Sequence, residues 1–309
     1  MIHPMVWRKD GLIASPMPTS GGPWSHAMIP TPVLLDDRIR VYYSVRDARG
    51  RGVPMYVDLD RGDPKRVLQA SPEPLLAVGA PGAFDDNGVV PTAVVKAPSG
   101  QWLMYYVGFE LCTQVRYRLM TGLAVSDDGL HFERYQTTAI LDRSPGEELF
   151  RCGPFVLLED GLFRLWYIAG NRWTEVGGKE LPIYELRYLE SADGIQWGPR
   201  GQVVMELEDP DEHGFGRPWV RRSPDGYEMF FSVRKRSLGA YRLAYAVSGD
   251  GLDWARQDER LGLTVSTDPA AFDSQAICYG VTVTVDGRDL CFYNGNDFGL
   301  HGFAVATLL

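Results

Sequence analysis

Cysteine is scarce in this chain, and the few cysteines follow no metal-binding or disulfide pattern. The 309 residues contain four cysteines, and no two of them form a C-x-x-C pair. Cysteine-based metal sites need closely spaced ligands, so the sequence predicts no metal site. Reduced, mostly buried cysteines are typical of a reducing compartment, so we expect a cytoplasmic protein. The four are Cys112, Cys152, Cys278 and Cys291.

Long apolar runs and an excess of positive charge are also missing. No apolar stretch approaches the roughly 18 residues that a membrane helix needs, and no basic region followed by an apolar segment opens the chain, so we expect neither a membrane span nor a signal peptide. The formal net charge is −9. Because nucleic acids and anionic membranes bind basic surfaces, neither partner is expected. The oligomeric state is left open, and a homo-oligomer is compatible with the sequence.

Helical periodicity is nearly absent, and so are two common enzyme signatures. The chain has no Gly-x-Gly-x-x-Gly loop in a β-α-β context and no Gly-x-Ser-x-Gly elbow. Short segments with alternating apolar and polar residues, which are typical of strands, occur instead. The sequence therefore predicts an all-β protein without a cofactor.

In place of these features the chain has an internal repeat. A pair of adjacent aromatic residues ends a strand-like segment five times, and the second members of successive pairs are 63, 61, 64 and 62 residues apart. A near-constant step of this kind is the signature of a repeat architecture. The pairs are Tyr42-Tyr43, Tyr105-Tyr106, Trp166-Tyr167, Phe230-Phe231 and Phe292-Tyr293.

An acidic residue precedes each of the last four aromatic pairs at a similar distance. These residues are Asp85, Glu148, Glu212 and Asp273, with steps of 63, 64 and 61 residues. Because the same position recurs in four repeats, we expect the acids to share one place at the start of the first strand of each repeat.

Three repeats contain the motif Ser-x-Asp-Gly-x-x-Trp/Phe, which begins at Ser126, Ser191 and Ser248. We expect Asp-Gly to form a tight hairpin turn, because glycine accepts a positive φ. The serine hydroxyl is expected to bond to the turn backbone. The aromatic residue is expected to pack against the neighbouring repeat, so the motif is interpreted as structural.

Together the repeats predict a five-bladed β-propeller whose blades are four-stranded antiparallel sheets. The last repeat lacks an outer segment, and residues 5–14 resemble the outer segments of earlier repeats. We therefore expect the N-terminal segment to pair with the last repeat and close the ring, which removes an open sheet edge. One domain is expected over residues 1–309, with blades at about 25–74, 84–142, 148–206, 212–261, and 273–309 plus 5–14.

The five repeats, the acids that open their first strands, and the outer turns of the Ala-Val-Ser-x-Asp-Gly-x-x-Trp type resemble the five-bladed propeller glycosidases. This superfamily contains arabinanase, xylosidase, levansucrase and invertase relatives, with mannoside phosphorylases as cousins. The resemblance implies a carbohydrate-active hydrolase with its site in the central funnel. There, a first-blade carboxylate is base or nucleophile, a second-blade carboxylate tunes acidity and binds the sugar, and a third-blade glutamate is the general acid.

Applied residue by residue, the resemblance implies Glu148 as the general acid, with Glu147 as its rival. Asp85 or Asp86 matches the second-blade carboxylate. Glycosidic cleavage needs a protonated acid together with a carboxylate that activates water or attacks carbon. These residues would supply two of the three carboxylates that the superfamily uses.

The first-blade aspartate is absent, because that strand opens with Trp24, Ser25 and His26. Three options stay open. A later carboxylate, Glu212 or Asp273, acts as base; His26 acts as base; or the protein binds a sugar without cleaving it.

Further polar and aromatic residues near strand ends are candidates for substrate binding. Arg151 and Arg217 each precede a strand-opening proline, and a pair of guanidinium groups would bind a carboxylate or phosphate through bidentate bonds. This predicts a small, anionic or nucleotide-activated sugar. The substrate-binding candidates are Arg151, Arg217, His213, Asp273, Gln275, Arg46, Trp24, Asn294, Asn296, Asp297 and His301.

The sequence thus predicts a cytoplasmic bacterial enzyme that cleaves or transfers a glycosidic bond of a small sugar. The alternatives are a non-hydrolytic propeller that binds a sugar or metabolite, and a funnel reused for elimination, cyclisation or isomerisation. The segment Asn171–Pro182 is predicted to be a polar loop that covers the funnel as a lid.

Overall fold

The computed structural model describes residues 4–14 and 24–309, which form β-strands almost throughout. Residues 1–3 and 15–23 lie outside the described residues, and the expectation about a signal peptide rests in part on them. The helical segments of the described residues are two single-turn 3-10 helices, Asp258–Arg260 and Asn296–Phe298. The all-β prediction is confirmed.

The strands follow the predicted repeats in order along the chain. They are β1 (Trp7–Ala14), β2 (Ser25–Leu34), β3 (Arg38–Arg46), β4 (Gly52–Asp60), β5 (Val67–Ala70), β6 (Val89–Lys96), β7 (Trp102–Leu111), β8 (Tyr117–Ser126), β9 (Glu133–Arg134), β10 (Phe150–Glu159), β11 (Leu162–Val176), β12 (Lys179–Ser191), β13 (Gln202–Met205), β14 (Glu212–Ser223), β15 (Gly226–Lys235), β16 (Ala240–Ser248), β17 (Ala255–Arg256), β18 (Cys278–Val285), β19 (Arg288–Asn294) and β20 (Phe303–Leu308).

Neighbouring strands within a repeat pair in antiparallel fashion. The pairings run β2-β3-β4-β5, β6-β7-β8-β9, β10-β11-β12-β13 and β18-β19-β20-β1. In the last of these, Trp7 lies opposite Leu308 and Leu12 opposite Ala304. The N-terminal strand therefore completes the sheet of the last repeat, which is the pairing that the sequence predicted.

The chain divides into two compact units. The first contains Met1–Pro74, Trp219–Val233 and Ala240–Leu309, and the second contains Leu75–Pro218 and Arg234–Gly239. Strands β1–β5 and β16–β20 belong to the first unit and β6–β13 to the second, whereas β14 and β15 have residues in both.

The paired aromatic residues form the centre of the core. Each of the ten side chains is at most 1% exposed. Successive residues of a strand point to opposite faces of the sheet, so two adjacent buried aromatics show that the second strand of each repeat is covered on both faces. This explains why the pairs recur, since each one fills the space on both sides of its sheet.

The Ser-x-Asp-Gly motif forms the predicted turn in all three repeats. Ser191 Oγ accepts hydrogen bonds from the backbone N–H of Asp193 and Gly194, at 3.3 and 3.0 Å. Gly194 has a φ of 72°. The ring of Trp197 packs 6.3 Å from that of Tyr105, a residue of the preceding repeat. The structural interpretation of the motif is confirmed there.

A bulge interrupts the first strand of the described repeats near its start. The register shifts between Ser25 and Met28 in β2, between Pro91 and Ala93 in β6, between Cys152 and Phe155 in β10, and between Cys278 and Val281 in β18. A bulge bends its strand and redirects side chains. The residues at the strand starts, where the candidate site residues lie, are therefore aimed differently from what simple alternation predicts.

The predicted loop Asn171–Pro182 is instead the end of a long hairpin, so that prediction was wrong. Strand pairing between β11 and β12 continues through Trp173 and Pro182, and the chain turns at Gly177 and Gly178, whose φ angles are 58° and 75°. The ring of Trp173 packs 5.0 Å from that of Tyr117. Aromatic packing of this kind keeps the segment in the sheet rather than free to act as a lid.

Candidate functional site

Asp85, in the second unit, is held inside the protein rather than exposed at a strand start. It is 1% exposed. Its Oδ2 atom accepts hydrogen bonds from the Tyr106 hydroxyl at 3.0 Å and from Arg134 Nε at 2.9 Å. The carboxylate therefore joins the second and last strands of its repeat to the start of the first. Contact of Asp85 with a substrate stays a prediction.

In the third repeat the equivalent internal acid is Glu147. It is fully buried. The Tyr167 hydroxyl lies 2.9 Å from Glu147 Oε2, and Glu147 forms ion pairs of 2.6 Å with Arg151 and 3.1 Å with Arg187. Like Asp85, Glu147 thus binds the second tyrosine of the aromatic pair and a cation.

Arg151, a predicted substrate-binding residue, belongs to this network. Besides Glu147, its guanidinium donates to the carbonyl oxygens of Asp142 at 2.7 Å and Gly198 at 3.3 Å. With a residue exposure of 4%, the side chain is committed to protein partners. The structure thus gives Arg151 an internal role, and binding of a substrate by Arg151 stays a prediction.

Glu148, the proposed general acid, is exposed beside the buried Glu147. Its Oε1 atom accepts a hydrogen bond of 2.9 Å from the Gly146 N–H. That bond is the main reason why the pKa of Glu148 lies below its usual value, and Asn171 and Arg200 act in the same direction. A general acid at neutral pH needs a raised pKa. The geometry of the free protein therefore favours an ionised Glu148, a state suited to a base or nucleophile.

Asp86, which follows Asp85, is partly exposed. Its Oδ2 atom accepts a 2.8 Å hydrogen bond from the Gly82 N–H. Unlike Asp85, it makes no ion pair within the described residues. Of this pair of aspartates, Asp86 is the one that solvent or a ligand reaches.

Glu212, His213 and Arg217 lie close together in sequence at the start of β14, and all three are buried, with exposures of 4%, 1% and 2%. His213 Nδ1 lies 3.1 Å from the Pro182 carbonyl oxygen. Burial lowers the pKa of His213, and the charges of Arg234 and Arg236 do so too. The imidazole is therefore held neutral, and contact of His213 with a substrate stays a prediction. Arg217 donates to the Thr92 carbonyl at 3.1 Å.

Asp273, in the first unit, repeats the arrangement of Asp85 and Glu147. It is fully buried. Its Oδ2 atom accepts from the Tyr293 hydroxyl at 3.2 Å and from Lys9 Nζ at 2.6 Å. The acids at the starts of the second, third and fifth repeats thus share one structural task, which is to bind a buried tyrosine hydroxyl and a cation.

The amides of the predicted sugar-binding loop shape the backbone around them. Asn294 Oδ1 accepts from the Ile29 N–H at 2.7 Å, and its Nδ2 donates to the Ala27 carbonyl at 2.8 Å. Asn296 Oδ1 accepts from the backbone N–H of Gln275 at 2.8 Å. These bonds fix the position of the strand that carries His26.

His26, Arg46 and Asp297 are brought together in the first unit. Burial and then the positive charge of Arg46 lower the pKa of His26, whereas Asp297 opposes them. His26 Nδ1 lies 2.9 Å from Ser25 Oγ. Burial also lowers the pKa of the Arg46 guanidinium, against the opposing effect of Tyr279. We call His26, Arg46, Tyr279 and Asp297 the His26 cluster.

Tyr279 was missed by sequence reasoning. Its ring lies 5.5 Å from that of Tyr241 and 6.5 Å from that of Phe298. Its only local signal is its place between Cys278 and Gly280 at the start of a strand. The sequence analysis instead considered the recurrent acid of this repeat, Asp273, which lies earlier in the chain.

The backbone around the His26 cluster is strained. Positive φ values occur at His26 (63°), Ile29 (55°), Tyr279 (56°), Asp297 (52°) and Phe298 (56°). Such angles are uncommon outside glycine and are real outliers for β-branched or bulky residues. Strain of this kind concentrates at functional sites, so the cluster is the strongest candidate site of the first unit.

Contact of the remaining candidates, His301 and Trp24, with a substrate stays a prediction. His301 is exposed and Trp24 is partly exposed. Within residues 4–14 and 24–309, no group of three or more His, Cys, Asp and Glu side chains is arranged to hold a metal ion. Among those same residues, none forms a helix that is long and apolar enough to span a membrane.

Comparison with known proteins gives both distant structural neighbours and a closer sequence relative. No protein-family model matches the chain. It is 33% identical, over 98% of its length and 99% of the relative, to the bacterial uncharacterized protein Rv1502 of Mycobacterium tuberculosis. An identity of this size over nearly full length shows common family membership.

Several solved structures that resemble the chain are described as glycoside hydrolases or as members of a phosphorylase family. A glycosyl hydrolase from Bacteroides ovatus matches with a TM-score of 0.74 and 15% identity, covering 99% of this chain and 94% of that one. A member of the GH130 family of mannoside phosphorylases, which contains glycoside hydrolases that target β-1,2 mannosidic linkages, matches with a TM-score of 0.68 and 14% identity over 97% and 93% of the two chains. At these identities the likeness shows a shared fold, that of the propeller glycosidases.

Proposed function

Because the chain belongs to the same family as Rv1502 of Mycobacterium tuberculosis and has the fold of the propeller glycosidases, we propose that it is a carbohydrate-processing enzyme. It cleaves or transfers a glycosidic bond of a small sugar. The substrate class comes from the structural neighbours by analogy of fold, and fold alone does not fix function. The chemistry proposed for this chain therefore rests on the residues of the candidate site.

The observation that carries the proposal is the His26 cluster on its strained backbone. It combines an imidazole whose pKa is lowered with a guanidinium and a carboxylate, on three different strands or turns. A neutral imidazole accepts a proton from water or a sugar hydroxyl. His26 thus takes the role of the missing first-blade aspartate as general base.

The second unit has two accessible carboxylates of its own. Glu148, at the start of the third repeat, is the ionised one, a state suited to a nucleophile rather than to the acid first assigned to it. Asp86, in the second repeat, is partly exposed and is a candidate sugar ligand. Glu212, Asp85 and Asp273 are buried.

We also propose that the repeats form a closed five-bladed propeller and that the protein is cytoplasmic. Five four-stranded blades and a ring closed by residues 5–14 are supported by the repeat steps and by the pairing of β1 with β20. A cytoplasmic location is supported by four unpaired cysteines, since reduced cysteines persist in a reducing compartment. Nucleic acid and membrane are not among the proposed partners.

Turnover of a substrate panel tests the proposal. The purified protein is incubated with aryl glycosides, nucleotide sugars and sugar phosphates, and product release is followed. For a substrate that reacts, His26→Gln is expected to lower kcat by about 100- to 10,000-fold, which is the usual contribution of a general base. Glu133→Gln, a change at an exposed glutamate on the short strand β9, is the matched control and leaves kcat unchanged. Equal rates in both variants would remove His26 from the mechanism.

A non-catalytic carbohydrate-binding protein is the second candidate. The observation that favours it is the internal use of Asp85, Glu147 and Asp273, which leaves few recurrent acids for chemistry. Binding of a sugar without turnover in the same panel, unaffected by His26→Gln and Glu148→Gln, would support this candidate against the enzyme.

A further inference from the structure

Arg46 is a partly buried cation of the first unit. It ends strand β3, where its Cα lies opposite that of Ser25 in β2. Its side chain makes no hydrogen bond and no ion pair with the residues that the structure describes. Buried cations are normally paired, because desolvation of an unpaired charge is unfavourable. A partly buried guanidinium of this kind needs another source of negative charge.

Neighbouring arginines of the same hairpin show the usual arrangement. Arg40 is paired with Asp58 at 2.7 Å, and Arg51 with Asp47 at 2.8 Å. Asp47, the residue after Arg46, also accepts hydrogen bonds from the backbone N–H groups of Arg49 and Arg51 at 2.8 and 2.9 Å. The nearest carboxylate along the chain is therefore committed elsewhere.

The surroundings of Arg46 are built for a ligand. His26 is close enough for its pKa to respond to the Arg46 charge, and Tyr279 is close enough to influence that of Arg46. The rings of Tyr279, Tyr241 and Phe298 lie 5.5 to 6.5 Å from one another. Aromatic rings pack against the apolar faces of ligands, and a guanidinium binds planar oxyanions through two parallel bonds.

The geometry points to an anion subsite at Arg46, which binds a phosphate or carboxylate group carried by the substrate. The subsite rests on the proposed function, because it names the class of sugar that the enzyme takes: a sugar phosphate or a uronic acid. Arg46 binds the oxyanion, the aromatic rings contact the sugar, and His26 faces the hydroxyl next to the charged group.

Binding of an anion also changes His26. Burial lowers the pKa of His26 most, the charge of Arg46 lowers it further, and Asp297 opposes both. A bound oxyanion neutralises the charge of Arg46. The pKa of His26 therefore rises when the subsite is filled, so the base becomes stronger only with the charged substrate in place. This coupling gives a readout that does not depend on turnover.

Calorimetric binding tests the subsite with three probes: glucose 1-phosphate, glucuronic acid and glucose. We expect one of the two anionic probes to bind at least ten times more tightly than glucose. The probe that binds more tightly shows whether the subsite prefers a phosphate or a carboxylate group. Arg46→Gln is expected to weaken the anionic probe by about 10- to 100-fold, as the loss of a charge-assisted bond does. Arg46→Lys keeps the charge but loses the bidentate geometry. Its affinity for the anionic probe is expected to lie between those of the wild-type protein and Arg46→Gln.

Arg49→Gln is the control, because it removes the same charge from an exposed position three residues away. Nuclear magnetic resonance of the His26 ring protons, titrated with and without the anionic probe, should show a raised pKa in the wild-type protein and none in Arg46→Gln. Equal affinity for glucose and both anions, or equal losses in Arg46→Gln and Arg49→Gln, would overturn the subsite. Tight, Arg46-dependent binding without turnover would keep the subsite and overturn the proposed enzyme.

Discussion

Two adjacent glutamates, Glu147 and Glu148, have opposite environments. Glu147 is fully buried between Arg151, Arg187 and Tyr167, whereas Glu148 is exposed and bonded to one backbone N–H. At the scale of single residues, Glu147 therefore stabilises the fold, whereas the exposed Glu148 can contact a substrate. The same division separates Asp85 from Asp86.

Neutralising each glutamate in turn should have very different effects on stability. Glu147→Gln leaves the buried guanidinium of Arg151 without a carboxylate, whereas Arg187 keeps its ion pair with Glu185. The expected loss is about 3–5 kcal/mol of unfolding free energy. Glu148→Gln should change stability by no more than about 0.5 kcal/mol while lowering any turnover. Urea unfolding of the two variants measures the difference. Similar losses in both would show that Glu148 also has a structural role.

Within the hairpin turns, glycine is needed for two separable reasons. Gly194 combines a φ of 72° with crowding, because an added Cβ would lie 2.6 Å from the Tyr105 hydroxyl and 2.8 Å from the Phe163 ring. Gly178 has a similar φ of 75° but nothing within 4 Å of an added Cβ. The two positions separate backbone strain from packing.

Substitution by alanine at the two positions should therefore lower stability by different amounts. Gly178→Ala is expected to cost about 1 kcal/mol, from the left-handed backbone alone. Gly194→Ala carries the same cost and about 1–3 kcal/mol more from overpacking against the ring and hydroxyl. Thermal unfolding of both variants tests this, and a Gly194→Ala protein as stable as Gly178→Ala would mean that the neighbouring repeat yields easily.

The strands and the Ser-x-Asp-Gly turns could be predicted because local chemistry determines them. Alternation, paired aromatics and an Asp-Gly dipeptide act over a few residues, and the turn at Ser191 formed as expected. The long hairpin at Trp173 could not be predicted in this way, since its polar sequence resembles a loop until the aromatic contacts of Trp173 are known.

The sequence alone could not predict which acid of each repeat faces inward. The acid that binds the tyrosine lies 21 residues before it in the second repeat (Asp85 and Tyr106) but 20 residues before it in the third (Glu147 and Tyr167). Equal spacing of the acids therefore selected Glu148 and missed Glu147 by one position. Tyr279 was missed because its one local signal, a place between Cys278 and Gly280 at the start of a strand, does not distinguish a site residue from a core residue.

At the scale of the whole molecule, the chain ends are tied together by one ion pair as well as by a sheet. Lys9, on β1, lies 2.6 Å from the fully buried Asp273, which also accepts from Tyr293. Trp7 Nε1 adds a 2.7 Å bond to the Leu261 carbonyl. The N-terminal strand thus contributes both an edge strand and the cation that pairs with Asp273 of the last repeat.

Removal of the Lys9 charge should loosen this closure. Lys9→Met leaves Asp273 buried without a cation, with an expected loss of about 3 kcal/mol and faster hydrogen exchange in β1 and β20. The double variant Lys9→Met/Asp273→Asn should recover much of the loss, because no lone charge remains, and Lys65→Met, at an exposed lysine, should change neither quantity. If Lys9→Met matched Lys65→Met in both measurements, the last sheet would be held by its backbone pairing alone, and the ion pair would have no part in joining the two ends of the chain.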